Sequence, residues 1–215
     1  MTDVEKTADL NFKRIINQNE DFQQLNIEVN KGLWIFGYGS LLWKVNFEYE
    51  KDLFGTIKGF ARRFWQESTD HRGTTQFPGR VVTLVPREDN VLWGRAFYIP
   101  PASVKETMDT LNFREKGGYS LTKVLFQPDN ANLKEMDVFL YMGSKGNPNY
   151  AGEETLDNVA ARIAKAVGPS GPNVDYLYNL ASVLEQYRDM IGEDDREHTL
   201  ALKKKVDVIL LNNKV

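Results

Sequence analysis

Two clusters in this chain combine residue types and spacing that could do chemistry. The first is Leu33-Trp-Ile-Phe-Gly-Tyr-Gly-Ser-Leu-Leu42, an apolar strand that empties into a turn carrying Tyr38 and Ser40. Gly37 and Gly39 allow backbone angles that set successive amide N–H groups on one concave side, and such a nest binds a carboxylate or a developing oxyanion. The same Gly-x-Gly spacing also serves turns that only redirect the chain, and the residues alone leave both readings open. The second cluster is Phe113-Arg-Glu-Lys-Gly-Gly-Tyr119. Its Glu115 falls at or just past a helix C-terminus, where the dipole repels a carboxylate and tends to raise its pKa. A raised pKa suits a group that must accept a proton and later return it. The plainer reading, a solvated helix end with basic residues on the dipole and two glycines closing it, stays open beside it.

A third segment, Arg62-Arg-Phe-Trp-Gln-Glu-Ser-Thr-Asp-His-Arg-Gly73, continues through Phe77-Pro-Gly-Arg80 and is dense in donors beside aromatic rings. A Ser-His-Asp triad drawn from Ser40, His71 and Asp70 fails on form. Neighbouring Asp70 and His71 can hardly adopt the orienting geometry, and no Gly-x-Ser-x-Gly elbow exists. A nucleic-acid surface is disfavoured too, because Glu67 and Asp70 interrupt the basic run and the chain carries 27 basic against 30 acidic residues.

Composition narrows the chemistry further. The chain has no cysteine and only two histidines, His71 and His198, which excludes disulfides, thiolate catalysis and cysteine zinc sites and makes a metal centre a poor expectation. The polar, acidic N-terminus reads as neither a secretory signal nor a transit peptide, and no apolar stretch reaches membrane-spanning length. The expectation is a soluble intracellular protein that binds neither nucleic acid nor membrane. Catalysis would fall to carboxylates, hydroxyls, arginines and backbone dipoles.

The elements that must position these residues follow from periodicity. Residues 1–32 read as an N-terminal extension, partly helical, and 33–215 as one domain, with no repeat and no dividing linker. Six strands are expected: Leu33–Tyr38, Gly59–Glu67, Arg80–Pro86, Val91–Pro100, Tyr119–Phe126 and Met136–Gly143. One helix interrupts them, begun by Pro100-Pro101, given capping-box spacing by Ser103 and Glu106, and closed by Gly117-Gly118. Three more follow over Thr155–Val167, Val174–Ile191 and Glu197–Leu211. Strands in succession and then helices in succession define an α+β class.

Taken together, Tyr38-Gly-Ser-Leu-Leu-Trp43, Arg62-Arg-Phe-Trp-Gln66, Ser68-Thr-Asp-His-Arg-Gly73, Pro78-Gly-Arg-Val-Val-Thr-Leu84, Phe113-Arg-Glu-Lys-Gly-Gly-Tyr119 and Gly168-Pro-Ser-Gly171 with Asn173 resemble the signature blocks of the ChaC family of glutathione-specific γ-glutamylcyclotransferases. The resemblance runs from about Leu33 to about Leu202 and leaves out residues 1–32. It departs from the family wording over Gly171-Pro-Asn-Val-Asp-Tyr176. It implies a small mixed β-barrel flanked by helices, a cytosolic location, and no metal or organic cofactor. The implied reaction converts glutathione to 5-oxoproline and Cys-Gly. On this sequence the resemblance makes Glu115 the acid/base and Ile35, Phe36, Gly37, Tyr38, Gly39, Ser40 and Leu41 the substrate-binding loop. Arg72 and Tyr119 are candidate orienting residues that could equally be structural. Rival readings are a cyclotransferase of the same fold acting on other γ-glutamyl amino acids or amines, and a non-catalytic module that senses glutathione.

Overall fold

The computed structural model of the chain describes residues 29–114, 119–143 and 146–212. Five strands close into a barrel: β1 (Leu33–Gly37), β2 (Lys51–Ser68), β3 (Gly79–Ile99), β4 (Tyr119–Pro128) and β5 (Met136–Gly143). They follow the order β1-β3-β2-β4-β5, and β5 returns to β1 through the parallel pair Ile35 and Phe139. The α+β barrel expected from the resemblance is therefore the observed architecture.

The order explains why β1 reads as an unbroken apolar run. Phe36 points into a core shared by the barrel and the C-terminal helices, whereas Leu33 and Ile35 pack with Phe97, Ile99 and Phe139 in a second core on the other side. A strand buried on both faces has no polar alternate to show. Helix α1 (Val104–Arg114) covers the second core with Val104, Met108 and Leu111. Helices α2 (Leu156–Lys165), α3 (Asn173–Gln186) and α4 (Glu193–Asn212) close the first with Val159, Ile163, Leu177, Leu180, Leu202 and Val206. Thr155 caps α2 by accepting from the Asn158 amide at 3.3 Å.

Five long strands replace the six expected, because Arg80–Pro86 and Val91–Pro100 belong to one strand. The charged residues between them interrupt the apolar pattern in sequence. In the structure Phe60 faces Pro86 and Lys58 faces Val91, so the extra residues of β3 bulge outward opposite Gly59, with Pro86–Asp89 exposed. Gly59 takes φ +87°, which favours glycine, and Asn90 donates to the Phe60 carbonyl at 2.5 Å to hold the bend. A two-residue ladder, β6 (Val167–Gly168) with β7 (Gly171–Pro172), closes the turn between α2 and α3. Residues 29–31 form a short 3₁₀ turn whose Lys31 carbonyl accepts from the Tyr98 hydroxyl at 3.0 Å. No helix among the described residues is long and apolar enough to cross a membrane.

Candidate active site

At the C-terminal end of β1 the chain enters a 3₁₀ turn, Ser40–Leu42, closed by the amides of Leu42 onto Gly39 (2.9 Å) and Lys44 onto Ser40 (2.8 Å). This turn forms one wall of a recess with about 450 Å³ of atom-free space, part of it open to solvent. The enclosed part of the recess has a volume of about 60 Å³, and the rest of that space opens to solvent. Ile35, Phe36, Gly37, Tyr38, Gly39, Ser40 and Leu41 all line it, and so does Tyr119.

The glycines serve this wall in a way different from the one expected. Neither Gly37 nor Gly39 has a positive φ. Both are needed for room: a Cβ on Gly37 would lie 2.6 Å from Leu41 Cβ, and one on Gly39 would lie 2.9 Å from Val82 Cγ2 and 3.0 Å from the Tyr176 hydroxyl. Close approach, not left-handed backbone, excludes side chains here.

Four lining residues were not expected: Val82, Leu111, Tyr141 and Tyr176. Tyr141 alternates correctly along β5, but nothing local in sequence aims it at the turn. Tyr176 comes from α3, held edge-on by Trp43 at 5.1 Å and Phe64 at 6.0 Å. The phenols brace the walls: Tyr38 donates to the Tyr141 carbonyl at 2.6 Å, and Tyr119 to the Val82 carbonyl at 3.0 Å.

The donor-rich segment 62–80 lies mostly behind the recess. Arg62, fully buried, reaches Tyr38, Trp93 and Asp195. Gln66 accepts from Asn147, and Arg80 pairs with Glu67 and Glu154. Arg72 is not among the lining residues. Its guanidinium donates to the Pro172 carbonyl at 3.0 Å and its amide to Ser68 Oγ at 2.9 Å, tying the 68–80 loop to β7 and the start of α3. His71 is exposed beside Ser170 and likewise does not line the recess. The second histidine, His198, lies on α4 against Phe64, where burial first and the Arg63 charge second push its pKa down to about 3.

Glu115 lies outside the described residues. Leu111 and Tyr119, four positions to either side of it, both line the recess. Among the described residues no group of three or more histidine, aspartate or glutamate side chains is arranged to hold a metal ion.

Comparison with known proteins agrees with this architecture. Glutathione-specific gamma-glutamylcyclotransferase 1 of Danio rerio is 42% identical over 154 residues, covering 71% of this chain and 79% of that protein. Gamma-glutamylcyclotransferase 2-3 of Arabidopsis thaliana is 43% identical over 185 residues, covering 83% and 90%. A crystal structure of a yeast γ-glutamyl cyclotransferase specific to glutathione superposes with a TM-score of 0.76 at 33% identity, over 83% of this chain and 96% of that one. The family described as ChaC-like protein matches residues 33–208, and this chain belongs to that family.

Proposed function

We propose that this protein is a γ-glutamylcyclotransferase that cleaves glutathione to 5-oxoproline and Cys-Gly. The observation that carries the reading is the convergence of the whole Ile35–Leu41 segment and Tyr119 on one recess. The ChaC-family resemblance of Phe113-Arg-Glu-Lys-Gly-Gly-Tyr119 supports Glu115 as the proton carrier.

In a γ-glutamyl peptide the α-amine and the γ-carbonyl belong to one residue, so the enzyme has only to fold the substrate and move protons. Aligned intramolecular reactions reach effective molarities of about 10⁵–10⁸ M, and no protein nucleophile is required. Glu115 takes a proton from the α-ammonium. The freed amine attacks the γ-carbon, and the tetrahedral oxyanion is held by amides of the Gly37–Leu41 turn. The C–N bond to the cysteinyl nitrogen then breaks as Glu115 returns the proton to that nitrogen, and the surplus proton left on the attacking nitrogen passes to the departing amine, giving the neutral lactam of 5-oxoproline and Cys-Gly as its ammonium. An ordinary glutamate, near 4.3, is too weak a base for this task, so the mechanism requires partial burial of Glu115 to raise its pKa. In this reading residues 1–32 are an N-terminal extension to the domain, joined to it where the Lys31 carbonyl accepts from Tyr98. The reading includes the cytosolic location that the ChaC-family resemblance implies.

Purified protein incubated with glutathione, and separately with γ-glutamyl-alanine, tests the proposal by the 5-oxoproline released. Release from glutathione together with Cys-Gly is expected. Preferential release from γ-glutamyl-alanine would make the protein a cyclotransferase of other γ-glutamyl compounds, and no release from either would leave a binding module.

A further inference from the structure

The turn at the recess is held from behind by a buried charge. Arg62 of β2 spends its guanidinium on three partners at once: Nε donates to the Tyr38 carbonyl at 2.7 Å, Nη2 to the Trp93 carbonyl at 2.8 Å, and Nη1 to Asp195 Oδ1 at 3.1 Å. Asp195, in the first turn of α4, uses its other oxygen to accept from the Trp93 amide at 3.0 Å. Both side chains are fully buried. The planar fork of arginine suits such a junction, since a lysine ammonium could not present the same fixed set of donors.

The bond to Tyr38 has a geometric consequence for the next residue. The peptide between Tyr38 and Gly39 is trans and planar, so its C=O and N–H point in opposite directions. A Tyr38 carbonyl drawn back onto Arg62 turns the Gly39 N–H away from Arg62, and Gly39 itself lines the recess. A peptide beside glycine is also the one most easily rotated, because no Cβ on Gly39 resists the change. An anchored carbonyl removes that freedom.

We infer that Arg62, held in place by Asp195, is a positioning residue of the active site: it locks the Tyr38–Gly39 peptide so that the Gly39 amide faces the recess and donates to the oxyanion of the ring-closing step. This inference rests on the cyclotransferase reading for its catalytic consequence, but the peptide lock itself does not depend on turnover. A buried ion pair is on its own a weak source of stability, since desolvation offsets most of the attraction. Its place behind the turn gives it a role that stability alone does not supply.

The test compares Arg62→Lys with Arg80→Lys, a second buried arginine whose partners Glu67, Glu154 and the Gly79 carbonyl lie away from the turn. Steady-state kinetics with glutathione are measured well below each variant's melting transition, and the Gly39 amide is followed by ¹⁵N NMR. For Arg62→Lys we expect kcat to fall about 10²–10³-fold, the size of one lost oxyanion donor, with KM changed less than about threefold. Its Gly39 amide resonance should shift or broaden. Arg80→Lys should lose stability but keep kcat and the Gly39 resonance. Should Arg62→Lys fail to fold, Asp195→Asn, which keeps an acceptor for the Trp93 amide while loosening the guanidinium, is expected to lower kcat about tenfold and to move the same resonance. An Arg62→Lys or Asp195→Asn protein with an unmoved Gly39 resonance and kcat within threefold of the parent overturns the inference. If the parent protein itself releases no 5-oxoproline, the functional reading has failed, and the NMR comparison alone decides the peptide lock.

Discussion

Replacing His198 by glutamine should change how the fold responds to acid, by an amount that can be worked out from its surroundings. His198 Nε2 accepts a hydrogen bond from the buried Phe64 amide at 3.2 Å, and its ring stacks on Phe64 with centroids 6.1 Å apart. An accepting Nε2 is unprotonated, so the folded state needs the neutral ring. Burial, with Arg63 adding to it, lowers the folded pKa to about 3, against about 6.5 in the unfolded chain. Between those values the unfolded state binds a proton that the folded state refuses, so stability from this group is complete above about pH 6.5 and is lost as pH falls toward 3. The loss approaches 1.4 kcal/mol per pH unit, or about 3 kcal/mol by pH 4.5. Glutamine keeps an acceptor for the Phe64 amide and does not titrate. Urea unfolding at pH 7.5, 6, 5 and 4.5 should show the parent declining faster than His198→Gln, the gap between them moving by about 3 kcal/mol over the series. Parallel curves would refute the argument, since every other titrating group is common to both proteins.

Three further predictions concern the recess. Gly37→Ala sets a methyl 2.6 Å from Leu41 Cβ, so the turn must open. We expect a cost of about 1–3 kcal/mol in thermal or urea stability and at least a tenfold loss of kcat/KM. Tyr119→Phe removes the hydroxyl that donates to Val82. It should cost about 1 kcal/mol of stability with less than a threefold change in kcat/KM, and a tenfold loss would instead give that phenol a substrate-orienting role. Ser40→Ala should lower kcat/KM only partially, because the backbone amides of the turn remain, and a complete loss would move the catalytic burden onto the hydroxyl.

Much of this architecture is legible in sequence wherever one element decides it. The β1 run and its glycine turn stand out because burial on both faces leaves no polar residue between Leu33 and Gly37. Helix α1 and the α2 face of Val159, Ala160 and Ile163 show a plain helical period. The errors arise where a distant partner overrides the local signal. Residues 87–90 are charged and polar and fall between two expected strands, yet β2 pairs on either side of them and makes them a bulge. Residues 51–58 show little alternation and are not among the expected strands, although β3 pairs with all eight of them. Helix α3 ends at Gln186 and α4 starts at Glu193, each a few residues before its expected position, where Met190 and Ile191 bond back to Tyr187 and Arg188.

The site shows the same division. Seven contiguous lining residues could be read from one segment, but Tyr141 and Tyr176 arrive from β5 and α3 through packing that no local pattern encodes. The polar density of 62–80 was real, and its destination was not visible. Sequence cannot say whether an arginine faces a ligand or a buried aspartate 133 positions away, as Arg62 does. Arg72 illustrates the cost: a good carboxylate partner by type, it is bound to the Pro172 carbonyl instead of lining the recess.

Whether Glu115 carries the proton is decided by 5-oxoproline release from glutathione, measured side by side for the parent protein and for Glu115→Gln. Steady release by the parent is expected, and for the variant, which keeps the shape of the side chain but not its basicity, loss of turnover with a nearly unchanged melting temperature. Near-normal turnover by the folded variant would contradict that role for Glu115.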